Sequence, residues 1–166
     1  MPNHCFNTLS ITGPVKDVTA FVALVSGGKL DAFDFNTVVP MPEALKGIGK
    51  SFGGNLGITK IEQDAQLVKE YGFSNAIDWA IANWGTKWGA YDVGEWFHEG
   101  TCDGETATAT ITFITAWAPP DKWLEKVSTK FPTLFISDEY DVENGEDIGE
   151  VIYEAGRNLT EFANEE

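Results

Sequence analysis

Two βαβ halves sharing one antiparallel sheet are what this chain predicts, on three observations. Alternation of apolar and hydroxyl residues, the period of a half-buried strand, occurs twice: around Leu9 and Ile11, and again from Ala107 to Phe113. Each run ends in proline punctuation, Gly13-Pro14 and Pro119-Pro120, followed by apolar residues at helical spacing. Each helical pattern is followed by a further strand pattern. Strand, proline turn, helix and strand given twice is the order of the α+β ferredoxin-like fold, in which right-handed crossovers place both helices on one face of an antiparallel sheet.

In the first half, Leu9 and Ile11 alternate with Thr8, Ser10 and Thr12. Val15, Val18, Val22 and Val25 then recur at helical spacing, with Phe21 and Leu24 widening the stripe until Gly27-Gly28 stops the helix. A short strand is expected over residues 33–39, closed by Pro40-Met41-Pro42. An insert of about 43–89 is expected between the two halves, with a glycine-rich loop and one or two helices. Ile77, Ala80, Ile81, Trp84 and Trp88 fall at helical spacing from a Ser74 cap.

The second half is framed by extra strands at 90–97 and 148–153. Ala107, Ala109, Ile111 and Phe113 share one face of its main strand, and Thr106, Thr108, Thr110 and Thr112 share the other. Proline suits the first turn of the next helix, where its missing N–H costs little. Trp123, Leu124, Val127 and Phe131 mark that helix. After Pro132 comes a strand with Leu134, Ile136, Tyr140 and Val142 on one side and Phe135, Ser137, Glu139 and Asp141 on the other. Asn144-Gly145 is a hairpin signal. One domain over 1–166 is therefore expected, carrying the insert and an acidic C-terminal β arm at about 134–155.

Composition narrows the function classes. The 166 residues suffice for a real core, and six Trp and eleven Phe argue against disorder. No run approaches the roughly 18 apolar residues of a membrane span. The N-terminal residues have neither the basic nor the apolar region of a secretory signal, so a cytoplasmic protein is expected. Cys5 and Cys102 are read as reduced, buried thiols. Net charge is −15, and it is uneven: eleven acids and one base, Arg157, lie after residue 130. Such a field repels nucleic acid and anionic membranes and attracts basic surfaces.

Four segments are candidates for chemistry or binding. Asn83-Trp84-Gly85-Thr86-Lys87-Trp88 reads structurally as two tryptophans plugging the insert onto the sheet, with Gly85 permitting close approach. Its functional reading is a ligand site of Trp84, Lys87 and Trp88, with the lysine holding an anion while the rings stack on a base. Gly49-Lys50-Ser51 resembles the end of a phosphate-binding loop, but the first glycine of that motif is missing at its required spacing. His4 and His98 are the only histidines, and neither has the neighbours of a nucleophile–His–acid triad or of a two-histidine phosphoesterase. Cys5, His98, Cys102 and Asp103 include no tight Cys-x-x-Cys pair for zinc. No catalytic residue, metal or cofactor is therefore assigned.

The fourth segment is the acidic arm. Asp138, Glu139, Asp141, Glu143, Glu146, Asp147 and Glu150 would project together from a two-stranded β arm and imitate duplex phosphates or cap a basic groove. Their spacing is not that of an EF-hand. Protection of a solvated sheet edge by charge is the competing structural explanation.

Several of these segments resemble the YubB-like proteins of phages and plasmids. The similarity rests on Pro2-Asn3-His4-Cys5 with Asn7, the run Leu9-Ser10-Ile11-Thr12-Gly13-Pro14, Val39-Pro40-Met41-Pro42, the hexapeptide at 83–88, and Thr115-Ala116-Trp117-Ala118-Pro119-Pro120 leading to Phe131-Pro132. Relatives often have Trp where His4 stands and Asp where Gly89 stands. The resemblance implies a mobile-element origin and a ferredoxin-like core, and it brings no catalytic residues. Together these readings lead to the expectation of a non-catalytic interaction protein in the host cytoplasm. It would inhibit a defence or nucleic-acid-handling machine by binding a basic host protein through the acidic arm, without touching nucleic acid or membrane itself. The alternative is a module that binds or sequesters a nucleotide-like small ligand through Trp84, Lys87 and Trp88.

Overall fold

The computed structural model describes residues 3–49, 58–100, 104–143, 145 and 147–160. Its six strands are β1 (His4–Pro14), β2 (Phe97–Gly100), β3 (Thr106–Ala116), β4 (Phe135–Val142), β5 (Ile148–Glu154) and β6 (Arg157–Asn158). The helices are α1 (Val15–Ser26), α2 (Ile58–Tyr71), α3 (Ala76–Trp84) and α4 (Asp121–Lys130). All pairings are antiparallel, in the order β2-β3-β1-β4-β5-β6. The first four strands of that order form the ferredoxin-like sheet, with α1 and α4 as its crossovers.

Both crossover helices lie on one face. Val18, Phe21 and Val25 of α1 and Trp123, Leu124 and Val127 of α4 share a single core with Leu9, Ile11, Ile111 and Ile136 of the sheet. Strand alternation leaves the other face uncovered. There Thr12 meets Thr108 and Ser10 meets Thr110 in hydroxyl contacts of 2.8 and 3.2 Å.

Residues 33–39 are not a strand. Phe33 and Phe35 are buried, but Phe35–Thr37 form a 3-10 turn whose start is held by the Asp34 side chain accepting from the Asn36 amide. The Phe35 ring stacks on Trp123 at 4.7 Å, and the Trp123 indole N–H takes the Phe35 carbonyl. Aromatic packing and a side-chain donor thus replace the ladder. The second core strand is instead β2, which prolongs the expected 90–97 run. Tyr91 bridges Ile114, the Gly94 amide donates to Thr112, and the regular ladder starts only at Phe97.

The insert departs in its place and in two details: because β2 is the second core strand, it lies within the first βαβ half, between α1 and β2, and not between the halves. Asn75, rather than Ser74, caps α3, its side chain accepting from the Asp78 amide at 2.9 Å. The helix stops at Trp84 because Gly85 adopts φ 87°, so Trp88 lies beyond it. The acidic segment also differs from a free arm: β4 pairs with β1 along its length and β5 with β4, making both integral to the sheet.

Candidate acidic face and the tryptophan segment

Alternation along β4 sorts the acids. Glu139 and Asp141 point to the open face, as does Glu150 of β5, which stands directly opposite Glu139. Two carboxylates facing each other across a ladder weaken the pairing. Among the described residues the strand positions of this face carry no lysine and one arginine, Arg157 of β6, which stands opposite Glu154 at the far end of β5 and lies 3.7 Å from its carboxylate. Phe6 and Ile148 are exposed beside the acids. Phe6, Thr8, Glu139, Asp141, Ile148 and Glu150 line a hollow of about 520 Å³. On the other flank of Phe6, Asp92, Thr112 and Ile114 help line a second hollow of about 300 Å³.

The remaining acids of the arm are placed differently. Glu143 is tied to the start of β1: its amide donates to the His4 carbonyl, and its carboxylate accepts from the His4 amide. Asp147 is exposed and accepts from the Tyr140 hydroxyl at 3.3 Å. Glu146, with Asn144, lies outside the described residues. Asp138 corrects the sequence reading outright. It shares the helix-covered face with Ile136, opposite Leu9 and Val151, is 0% exposed and has no hydrogen-bond partner on either oxygen. Burial, with a lesser contribution from Glu139, pushes its carboxyl up to about 8. Asp138 is therefore no contact residue.

The tryptophan segment is a latch between the insert and the β3–α4 turn. Trp84 is 3% exposed, donates its indole N–H to the Val39 carbonyl and packs edge-on against Phe35 and Trp79. Gly85 abuts α4 so closely that a Cβ would lie 2.0 Å from the Asp121 carboxylate. The Thr86 hydroxyl donates to the Ala116 carbonyl and accepts from its amide, closing the end of β3. Lys126 reaches back to the Asn83 side chain at 2.9 Å. The expected ligand triad is thus divided. Trp84 is core, Trp88 is 40% exposed rather than buried, and Lys87 sits over Trp117 at 4.3 Å.

Trp117 is the residue that sequence reading passed over. It is 51% exposed at φ 78°, a left-handed conformation unfavourable for a bulky side chain. Its amide bonds to the Asn3 carbonyl, which holds the turn after β3. Phe6 was equally missed, although an aromatic in register with Thr8, Ser10 and Thr12 is visible as an apolar residue on a polar face.

His4 and His98 stand at different places. His4 Nδ1 contacts the Tyr91 hydroxyl at 2.6 Å, and burial and nearby acids raise the Tyr91 pKa. His98 lies on the edge strand β2. Burial pushes the Cys5 thiol up to about 12, which removes thiolate reactivity. Cys102, Asp103, Lys50 and Ser51, and with them the zinc and phosphate-loop candidates, lie outside the described residues. No cluster of three or more potential metal ligands occurs among the described residues, and no described helix is long and apolar enough to cross a membrane.

Residues 95–166 match the family model described as the ferredoxin-like domain in Api92-like protein. The chain is similar in structure to the crystallised protein api92 from Yersinia pseudotuberculosis, with a TM-score of 0.58 and 10% sequence identity over 96% of this chain and 97% of that one. At that identity the likeness establishes fold alone. No curated protein matches the chain.

Proposed function

We propose that this ferredoxin-like protein acts by binding, not turnover, and that the acidic half of its open sheet face receives a basic protein surface. The observation that carries this reading is the pairing of Glu139 with Glu150 on adjacent strands, with Asp141 beside them and exposed Phe6 and Ile148 at hand. Edge protection does not account for Glu139 and Asp141. β4 lies inside the sheet, flanked by β1 and β5, where no unpaired backbone needs shielding. Carboxylates speed encounter with a basic partner, and adjacent exposed apolar groups supply desolvated contacts that hold it. An origin in a phage or plasmid and a target in a host's defence or nucleic-acid-handling machinery fit this surface, since competition for a basic channel needs only an acidic face. Action in the host cytoplasm belongs to the same proposal.

The test starts from a pull-down with the full chain from host lysate. Glu139→Gln, Asp141→Asn and Glu150→Gln are then combined, and binding to the recovered protein is measured at two salt concentrations. The association rate should fall at least tenfold at low salt, and its salt sensitivity should shrink. Equal rates and equal salt dependence would reject the acidic face as the contact.

The Lys87–Trp117 pair supports a second reading, a planar anionic ligand stacking on the exposed indole with the ammonium near its charge. Titration of nucleoside monophosphates against the parent and Trp117→Gly, followed by fluorescence, decides it. A saturable change confined to the parent is required.

A further inference from the structure

We infer that the outer edge of β2 and the groove beside it form a docking site for an extended peptide of a partner, one carrying an apolar side chain next to an acidic residue. The site lies apart from the acidic part of the open face and rests on separate observations. β2 ends the sheet, and all four of its residues are exposed. Just upstream, the Trp96 amide leaves the β3 ladder and donates to the Leu30 carbonyl at 3.0 Å. An outward amide beside this edge thus already bonds a carbonyl of the turn after α1. Alternation then turns the N–H and C=O of His98 and Gly100 outward as well, and no partner is recorded for either among the described residues.

The edge lacks the devices that usually deter strand addition: Phe97–Gly100 has no lysine, no proline and only Glu99 as a charge. Beside it, between α1 and β2, runs a groove of about 220 Å³. Val22, Ala23 and Trp96 make it apolar, and exposed Leu30 stands at its end. A strand added to an edge alternates its side chains, so every second one would enter this groove while the main chain pairs with β2.

Charge selects the occupant. Lys29 and His98 line the groove, and none of its lining residues is acidic, in a chain with 26 acids against 11 bases. A second copy of this chain, at −15, would meet long-range repulsion. A peptide with an acidic residue adjoining its apolar anchor meets attraction.

The experiment uses the full 15N-labelled chain and two capped hexapeptides, Thr-Val-Thr-Leu-Thr-Asp and the same sequence ending in Lys. The first should saturably shift, and protect from exchange, the amides of Phe97–Gly100, and should bind at least threefold tighter than the second. Ala23→Phe, which fills the groove, and His98→Pro, which removes an outward donor, should each weaken binding tenfold or more with circular dichroism unchanged. Lys29→Glu should invert the preference between the peptides. Three results overturn the proposal: no saturable shift at millimolar peptide, shifts mapping elsewhere, or binding indifferent to groove filling. Protection of Phe97–Gly100 that rises with protein concentration alone would assign the edge to a second copy instead. If either variant fails to fold, the shift map and the Asp-versus-Lys comparison on the parent chain decide the matter.

Discussion

On the open face of the sheet Glu139 is exposed beside Glu150 and Asp141, whereas one residue earlier Asp138 is sealed under the helices with both oxygens unpaired. The two residues share a strand and a charge type, and their surroundings make them opposites. Water solvates Glu139, so it costs the fold little and remains free to attract a partner. Asp138 has neither water nor donor, so the fold keeps it protonated and loses stability by doing so. Asn7 shows what a satisfied polar group on the covered face requires: its amide donates to the Cys5 carbonyl and the Thr115 hydroxyl at 2.8 and 2.9 Å. Polar character under the helices is tolerated when every group is paired. Asp138 violates that rule among the described residues.

The contrast between covered and open faces can be broken most forcefully at Trp84, a buried indole that ties the insert to the core. Trp84→Ala should cost about 3–5 kcal/mol in denaturant unfolding, through the cavity and the lost bond to Val39. A loss below about 1 kcal/mol would mean that the insert does not depend on its latch.

Asp138 sharpens the contrast with the opposite sign. Asp138→Val should raise stability by about 1–4 kcal/mol at pH 8, since an apolar side chain replaces an unpaired buried acid between Leu9 and Val151. Its pH dependence is equally specific. An unfolded Asp loses its proton near pH 4, while the folded chain holds it up to about 8. Unfolding therefore releases a proton between these values. This residue's contribution is fully present below pH 4 and declines by on the order of 1 kcal/mol per pH unit until it levels off above 8. Subtracting the curve of Asp138→Val from that of the parent isolates the slope, and a flat difference from pH 4 to 8 would refute the buried acid.

Trp117 tests whether the exposed surface carries cost without burial. Trp117→Gly removes a left-handed tryptophan and its lysine contact, and thermal unfolding should show stability unchanged or raised by about 1 kcal/mol. A loss above 2 kcal/mol would make Trp117 a packing residue. The smallest effect is expected on the open face. Neutralising Glu139, Asp141 and Glu150 together should alter unfolding free energy by less than about 0.5 kcal/mol, with a gain if the Glu139–Glu150 repulsion dominates.

The sequence by itself determined the parts governed by short-range periodicity. Alternation located β1, β3 and β4; helical spacing and proline punctuation located α1 and α4; and their order determined the ferredoxin-like topology. It even contained the fate of Asp138, because the alternation that buries Ile136 and Val142 places residue 138 on the same face. Grouping the acids by charge hid that parity. Tertiary structure alone decided three matters. Phe33 and Phe35 alternate as a strand would, but the distant Trp123 takes the Phe35 carbonyl and packs on both rings. Helical spacing runs on to Trp88, but Gly85 must turn to let Asp121 approach, and this exposes the second tryptophan. Trp117 becomes a surface platform because Thr86, 31 positions earlier, clamps the end of its strand. Local pattern reports which way a side chain points; only the packed neighbours settle whether water, a donor or another ring is waiting there.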